Sequence, residues 1–232
     1  MKKNLFLVFL LIASTSVFAQ GHEFRVGINS GYSFFRGESS ESSSFVNAHG
    51  TSDVYTNSPL GKKFTLSYGI SANYKYVTNR HFIIGAEIAY EDLRTKVDLE
   101  SYYGVSTQKT EGRTYLNNHF LNASPFIGYR IPVKNMSLDI IAGVDIAYSL
   151  DVKEYGKYKE TDGKDIKFTC SRKDSYIEVD IRPRLQVNAN YKKYTLFAGA
   201  SVGLKDYYEG WTGGSPEAYM NTIRIGIQYR IF

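Results

Sequence analysis

Residues 64–76 read Phe-Thr-Leu-Ser-Tyr-Gly-Ile-Ser-Ala-Asn-Tyr-Lys-Tyr, and every second position carries an apolar or aromatic side chain. The positions between them hold only small, polar or charged residues. Successive side chains of a β-strand point to opposite faces, so this alternation predicts a strand with one apolar and one polar face. The apolar face must meet an apolar environment along the whole strand.

The same alternation recurs along the chain. A strand–turn–strand pattern occupies residues 74–90, 128–148 and 191–204, and the apolar parity holds through eight segments in all. These segments are 24–34, 64–76, 82–90, 121–131, 138–148, 177–191, 196–204 and 223–231. Repeated period-two strands predict a closed antiparallel sheet. Pro125 and Pro183 each remove a backbone donor, so we expect a bulge at each of them.

The uninterrupted apolar parity is typical of a surface in contact with lipid. No charged residue falls on it in any segment, and a charge at mid-depth would cost about 2–4 kcal/mol there. About ten residues at ~3.3 Å each, tilted by about 40°, also match the ~25 Å apolar band of outer-membrane barrels. The sequence therefore predicts apolar side chains facing lipid and polar ones facing inward. A soluble lipocalin-type barrel, with an apolar interior, is one alternative.

Short and long connections join the segments in turn. The short ones are 78–80, 132–135 and 192–193, and the long ones are 37–62, 96–113, 152–173 and 206–217. Bacterial outer-membrane barrels have short periplasmic turns and long external loops. We therefore predict an all-β fold, an eight-stranded antiparallel up-and-down transmembrane β-barrel with both chain ends at the periplasmic side.

The N-terminal residues have the pattern of a secretory signal peptide. Lys2 and Lys3 precede a short apolar stretch, and residues 17–19 (Val-Phe-Ala) form a small-residue cleavage site. The sequence thus predicts a leader at 1–19 and one barrel domain at 20–232. The predicted location is the bacterial outer membrane.

One hairpin resembles a known family. Residues 125–129 (Pro-Phe-Ile-Gly-Tyr), followed by a turn and then Leu138, Gly143 and Tyr148, are similar to the outer-membrane protein β-barrel domain family. Its members are small, mostly eight-stranded barrels akin to outer membrane proteins A, X and W. The resemblance implies outer-membrane lipid as the surroundings. It also implies that the barrel-insertion machinery reads the C-terminal strand, which ends in the aromatic Phe232.

The polar parity carries the charges. A lumen charge network is predicted from Arg25, Glu87, Asp145, Glu178, Asp180, Arg182, Arg184 and Arg224. Side chains can fill an eight-stranded barrel, and an unpaired buried charge costs several kcal/mol. We therefore expect arginine–carboxylate pairs, a filled lumen and no continuous ion path. The alternative is a narrow porin-like channel or small-solute transporter.

The sequence offers little support for an enzyme. Of its four histidines, only His119 lies high on a predicted strand with outward parity, and no serine stands beside it on that face. Cys170 is the single cysteine, which excludes an internal disulfide and a cysteine-based metal cluster. We expect no catalytic residues, no metal and no cofactor. The net charge of +5, without an arginine-rich run, gives no case for nucleic-acid binding.

The long loops are the place where function is expected, because binding residues concentrate on loops held by a rigid scaffold. Tyr207, Tyr208 and Trp211 form a possible loop contact surface for a ligand outside the cell. The alternative is that these rings extend the upper aromatic belt of the barrel. The leading hypothesis is a non-enzymatic outer-membrane barrel that serves envelope integrity, adhesion or surface interaction.

Overall fold

The computed structural model describes residues 21–48, 54–104, 106–173, 176–209 and 217–232. The predicted leader lies outside these ranges, as do His49 and Trp211. Within them the chain forms β-strands and their connections. No helix in the described ranges has the length and apolar character needed to cross a bilayer.

Eleven strands follow one another along the chain. They are β1 (His22–Arg36), β2 (Ser43–Asn47), β3 (Tyr55–Thr56), β4 (Thr65–Val77), β5 (Phe82–Tyr103), β6 (Thr107–Val133), β7 (Met136–Lys159), β8 (Asp165–Ser171), β9 (Val179–Tyr191), β10 (Tyr194–Val202) and β11 (Tyr219–Arg230). Eight of them, all but β2, β3 and β8, coincide with the eight predicted segments. The predicted fold class is confirmed.

These eight strands close into a ring in which every neighbouring pair is antiparallel. One circuit along the paired residues runs from Asp92 through Tyr68, Ser30, Ile225, Ala198, Val187, Ile140 and Tyr129 back to Phe82. The register therefore shifts by 92 − 82 = 10 residues around the ring. With eight strands, this shear corresponds to a tilt of about 40°.

The ring closes where the two ends of the described chain meet. Strands β1 and β11 pair along almost their whole length, and the backbone N–H of Phe24 donates to the carbonyl of Phe232 over 3.2 Å. The rings of these two phenylalanines stack with centroids 5.8 Å apart. The C-terminal aromatic residue thus packs against the first strand.

The orientation of the barrel wall agrees with the lipid-facing prediction. Ile70 is 60% exposed, whereas the adjacent Ser71 is only 9% exposed. The same contrast holds around the ring, so the exposed apolar residues form a continuous belt and the charged residues lie inside. We call this outward-facing apolar surface the belt. A lipocalin-like barrel would have the reverse arrangement and is excluded.

Two of the long connections predicted from sequence are largely strand. Residues 96–113 are not a loop, because β5 and β6 continue to Tyr103 and Thr107 and pair up to that point. Within 152–173, β7 continues to Lys159 and β8 folds back to pair with it. These extensions were not predicted because their outward side chains are charged and their apolar side chains face inward, the reverse of the barrel segments.

The bulges are not at the prolines. Pro125 pairs with Ala86 and Pro183 with Val144, and no register shift falls at either proline, so the prediction of bulges there is wrong. On the β7 side, Ser124 and Pro125 have no paired residue, but the register is the same before and after them. The register shift between β6 and β7 falls instead between His119 and Phe120, where Leu150 is the extra residue of β7. This bulge exchanges the inward and outward parity of β7 at the upper end of the belt.

Above the belt, the strands form a second curved structure, which we call the external sheet. It consists of β2, β3 and β8 together with residues 92–103 of β5, 107–119 of β6 and 151–159 of β7. Strand β2 adds to β5 in parallel, and β3 adds to β2. The edge strand β3 also contacts β7 and β8, so the sheet is rolled over the mouth of the barrel.

Candidate functional site: a filled lumen and an external sheet

The inward side chains of β7 show how the interior is arranged. From the periplasmic end they run through Asp139, Ile141, Asp145, Ala147 and Glu154, all of them buried. Charged and apolar residues thus alternate along the barrel axis. The neighbouring strands contribute partners to each level.

The lowest level is an ionic cluster at the periplasmic end. Glu23 lies 2.8 Å from Arg25 and 2.7 Å from Arg130, and Arg130 is also 2.7 Å from Asp139. Lys75 reaches Asp139 over 2.5 Å. Arg25 is therefore buried and paired inside the lumen, as predicted, but it lies at this lower level, apart from the other predicted members. Glu23 was missed, although it shares the inward parity of Arg25.

The central level is the arginine–carboxylate network. Arg184 lies 2.7 Å from Glu87 and 3.4 Å from Asp145. Arg224 lies 3.0 Å from Asp145 and 2.6 Å from Glu91. Asp145 therefore links the two arginines, and the four predicted members Glu87, Asp145, Arg184 and Arg224 lie together. Glu91 is a further member that the predicted set did not include.

The remaining predicted residues, on β9 and just before it, differ in burial and in their partners. Asp180 lies 3.7 Å from Arg182 and accepts a hydrogen bond of 3.2 Å from the hydroxyl of Tyr207. Arg182 donates to the amide oxygen of Asn122 over 3.2 Å. Glu178 precedes β9 and is exposed, so its assignment to the lumen is wrong. Strand β9 begins at Val179, so the alternation of that strand does not decide which way the Glu178 side chain points.

An apolar plug lies above the central network. It consists of Phe35, Leu60, Leu93, Leu116, Phe120, Ala147, Val152, Tyr207, Ala218 and Met220, each at most 2% exposed. Tyr207 packs edge-to-face on Phe35, with ring centroids 4.8 Å apart. Its loop therefore turns into the barrel. The predicted contact surface is wrong for Tyr207, Tyr208 is half-buried against the plug, and Trp211 lies outside the described residues.

A buried carboxylate fastens the external sheet above the plug. Glu154 accepts hydrogen bonds from the backbone N–H of Thr56 over 2.7 Å and from Arg172 Nε over 2.8 Å. Arg172 also donates to the Thr56 carbonyl and stacks on the ring of Tyr55, 4.9 Å from its centroid. Burial lowers the pKa of Arg172, but the adjacent Glu154 carboxylate outweighs it and raises that pKa above its ordinary value. This arrangement ties β3 to β7.

The outermost level inside the external sheet is again apolar. Val46, Leu99, Tyr158 and Phe168 pack together there. The ring of Phe168 occupies the space beside Gly156, where a Cβ would lie 2.0 Å from it. The external sheet therefore has its own small core, which holds its strands in place without help from the membrane.

The outer surface changes character within one rung of the sheet. Tyr90, Leu121 and Tyr148 lie side by side at the upper end of the belt. The next rung places His119 between two carboxylates, Asp92 and Asp151. One strand therefore serves two solvents, with acyl chains below this boundary and headgroups or water above it.

Higher up, the outer face of the external sheet is rich in cations. Tyr115 and Tyr155 lie opposite each other, with Lys96 beside Tyr115. On the following rung, Arg113 lies opposite Lys157, which lies opposite Lys167. We call the surface formed by Lys63, Arg94, Lys96, Arg113, Lys153, Lys157 and Lys167 around the tyrosine pair the basic face.

The described residues show no catalytic constellation at His119. Its ring nitrogen Nδ1 is 2.9 Å from the hydroxyl of Tyr90, and the two rings stack. Its cross-strand neighbours Asp92 and Asp151 form ion pairs with Arg94 and Lys153. Among the described residues, no group of three or more histidine, cysteine, aspartate or glutamate side chains could hold a metal ion.

No protein-family model matches the chain, and no curated protein matches it. Among solved structures it is similar to Ail, the attachment invasion locus protein of Yersinia pestis, at 12% identity and a TM-score of 0.41, covering 91% of this chain and 99% of that one. Neisserial surface protein A matches at 10% identity and 0.38, covering 90% and 98%. The translocator domain of the autotransporter NalP from Neisseria meningitidis matches at 12% and 0.32, covering 98% and 96%.

Proposed function

We propose that this outer-membrane β-barrel is a closed, non-enzymatic platform that holds the external sheet above the membrane for surface interaction or adhesion. The apolar plug carries the proposal. An ion following the axis would have to leave the central network and cross a level of ten buried residues, nine of them without an ionisable side chain. The guanidinium of Arg182 packs on the Phe120 ring of this level, 5.0 Å from its centroid. Transfer of a charge into such surroundings costs many kcal/mol without a partner.

The external sheet supports the second half of the proposal. Its strands continue those of the barrel, so the transmembrane wall holds them rigidly, and Glu154 and the small upper core fix β2 and β3 against them. Rigid presentation lowers the entropy lost on binding a partner. A folded surface of this kind suits attachment better than a set of mobile loops would. Service to envelope integrity is a further role compatible with the same architecture.

A narrow channel or small-solute transporter is the second candidate. The observation in its favour is a set of buried polar atoms without hydrogen-bond partners, including Asp180 Oδ1, Arg182 Nε and Ser149 Oγ. These groups lie near the plug and could bind water. They would serve conduction only if the plug moved aside.

Single-channel recording in planar bilayers separates the two candidates. For the purified protein we expect no steady current. The variant with Phe35→Ala and Tyr207→Ala removes the ring pair of the plug, and we expect it to conduct intermittently. Steady, large currents from the unaltered protein would refute the platform and favour the channel.

The interaction role needs its own measurement. Replacing residues 100–111 by a two-residue turn shortens the β5–β6 hairpin and removes most of the β5 edge on which β2 pairs, while leaving the eight-stranded ring intact. Cells that display the shortened protein should attach to surfaces or host cells less than cells that display the full chain. Heat-modifiable gel mobility verifies that both barrels are folded. Equal attachment by both would count against the external sheet as the interacting part.

A further inference from the structure

We propose that the basic face binds the phosphorylated sugar headgroup of a glycolipid in the outer leaflet around the barrel. This inference does not depend on the proposed attachment role, since it concerns the lateral surface of the protein and not its outer tip.

The position of the basic face fits a lipid headgroup. The groove beside Lys96 is bounded by Phe64, which directly precedes β4, and by Leu66 on β4; their side chains are 59% and 57% exposed. Acyl chains packed on these side chains would bring their own headgroup to the level of Arg94 and Lys96. A ligand free in solution would have no reason to bind at the edge of the belt.

The charges on the basic face are incompletely balanced. Its carboxylates are already engaged, because Asp92 pairs with Arg94, Asp98 with Lys63, Asp151 with Lys153 and Asp165 with Lys157. Among the described residues, no ion pair involves Lys96, Arg113 or Lys167. Glu100, Glu111 and Lys159 line the groove beside these residues. Eight cations therefore stand beside six carboxylates, which leaves a local excess of two positive charges.

The unpaired cations also face like charges. Lys96 lies across from Lys63, and Lys157 has Arg113 on one side and Lys167 on the other. Arg113 also lies across from Asp98 on the β5 side, so the like-charge contacts are concentrated at Lys96, Lys157 and Lys167. Like charges directly opposite each other destabilise a sheet. Phosphate groups bridging these side chains would remove the repulsion and form charge-assisted hydrogen bonds, to which the planar guanidinium of Arg113 is well suited.

The tyrosine pair provides the surface for the sugar. Tyr115 and Tyr155 lie directly opposite each other, between Lys96 on one side and the rung of Arg113 on the other. Tyr155 is 41% exposed. An aromatic ring offers an apolar face to a sugar ring and a hydroxyl to its polar groups. The phosphates of a disaccharide packed on this pair would then meet cations on two sides of it.

The test uses the full chain refolded in detergent, with binding of purified lipid A followed by native mass spectrometry and thermal stability. The variant Lys96→Gln, Arg113→Gln and Lys167→Gln removes the three unpaired cations without breaking an ion pair. Lys134→Gln, Lys192→Gln and Lys193→Gln, three exposed lysines at the periplasmic end, form the matched control. At about fivefold for each cation near an anionic surface, the first variant should bind lipid A about 100-fold more weakly at low salt. The control should bind like the unaltered protein.

Two further arms identify the ligand and its source. Dephosphorylated lipid A should bind to the unaltered protein as weakly as lipid A binds to the first variant. If the unaltered protein bound both lipids equally well, the proposal would be overturned. The deacylated phosphorylated disaccharide should bind much more weakly than lipid A, and binding as tight as that of lipid A would overturn the assignment to the leaflet.

In detergent alone, the first variant should unfold at or above the temperature of the unaltered protein, because it loses repulsion. A lower temperature would show that the three cations are structural.

Discussion

The barrel wall and the external sheet share three strands, β5 to β7, and yet they are stabilised in opposite ways. In the wall, the apolar side chains face outward and the ion pairs are buried, because acyl chains replace water as the outer solvent. In the external sheet, the outer face carries exposed ion pairs, and the inside holds a small apolar core with one buried carboxylate. The comparison shows that one strand can serve two solvents if its outer parity changes composition at the boundary.

The largest expected effect comes from the central network. Arg224→Met leaves the buried carboxylates Glu91 and Asp145 without this partner, and the barrel should lose about 3–5 kcal/mol of unfolding free energy. Urea unfolding in lipid, followed by gel mobility, measures the loss. Adding Glu91→Gln should recover part of it, because one uncompensated charge is then neutral.

The matched change on the external sheet is Arg113→Met, which removes an exposed arginine without an ion pair. No measurable loss of unfolding free energy is expected in detergent. A loss as large as that of Arg224→Met would mean that burial does not distinguish the two regions, and the comparison would fail.

The second effect concerns the outer surface. Ile127 is 65% exposed near the middle of the belt, and Ile127→Lys should cost about 2–4 kcal/mol in a bilayer because the ammonium group must enter the acyl region. Tyr155→Lys, on the same parity above the belt, should cost about 1 kcal/mol or less. Urea unfolding in vesicles measures both. Equal costs would indicate that Tyr155 also lies within the acyl region.

The third effect is local to the external sheet. Glu154→Gln removes a charged acceptor from Arg172 and Thr56, and hydrogen bonds to charged groups contribute about 1.5–3 kcal/mol. The loss should appear as faster hydrogen exchange of the Thr56 amide, with unchanged exchange in the barrel strands. Faster exchange throughout the barrel would show that the two regions unfold together.

The sequence was sufficient for the wall and insufficient for the external sheet, for a physical reason. Lipid imposes a strict apolar parity, so the eight segments and their orientation could be predicted from alternation alone. Above the belt the outer face meets water and tolerates charge. The apolar residues of this part of the chain lie on the inward parity instead, as Leu93 and Leu99 do on β5 and Phe168 does on β8. The bulge at Leu150 then inverts the parity of β7, which no local pattern predicts.

The sequence predicted that the lumen holds arginine–carboxylate pairs, but it predicted only some of the pairs. Inward parity correctly placed Glu87, Asp145, Arg184 and Arg224, but it could not say which level of the barrel each residue would reach. Arg25 joined a different cluster, because the shear of the barrel sets heights that strand position alone does not give. Tyr207 entered the lumen from a loop, where parity has no meaning.

The smallest expected effect concerns an exposed ion pair on the external sheet. Lys157 lies 2.7 Å from Asp165 on the external sheet, and its hydrogen bond lowers the pKa of Asp165 below the ordinary value of 3.8. A depressed carboxyl pKa stabilises the fold above the unfolded value and loses that contribution as the pH falls through the folded one. The free energy of unfolding should therefore not change with pH through this pair between about pH 5 and 7. The substitution Lys157→Gln should move the titration midpoint of the Asp165 carboxyl, measured by NMR, back toward 3.8. Because water screens this pair, 0.5 M salt should have nearly the same effect as the substitution, whereas the buried network around Asp145 should respond to neither. An Asp165 midpoint that ignores both salt and Lys157→Gln would mean that the exposed pair does not form in solution.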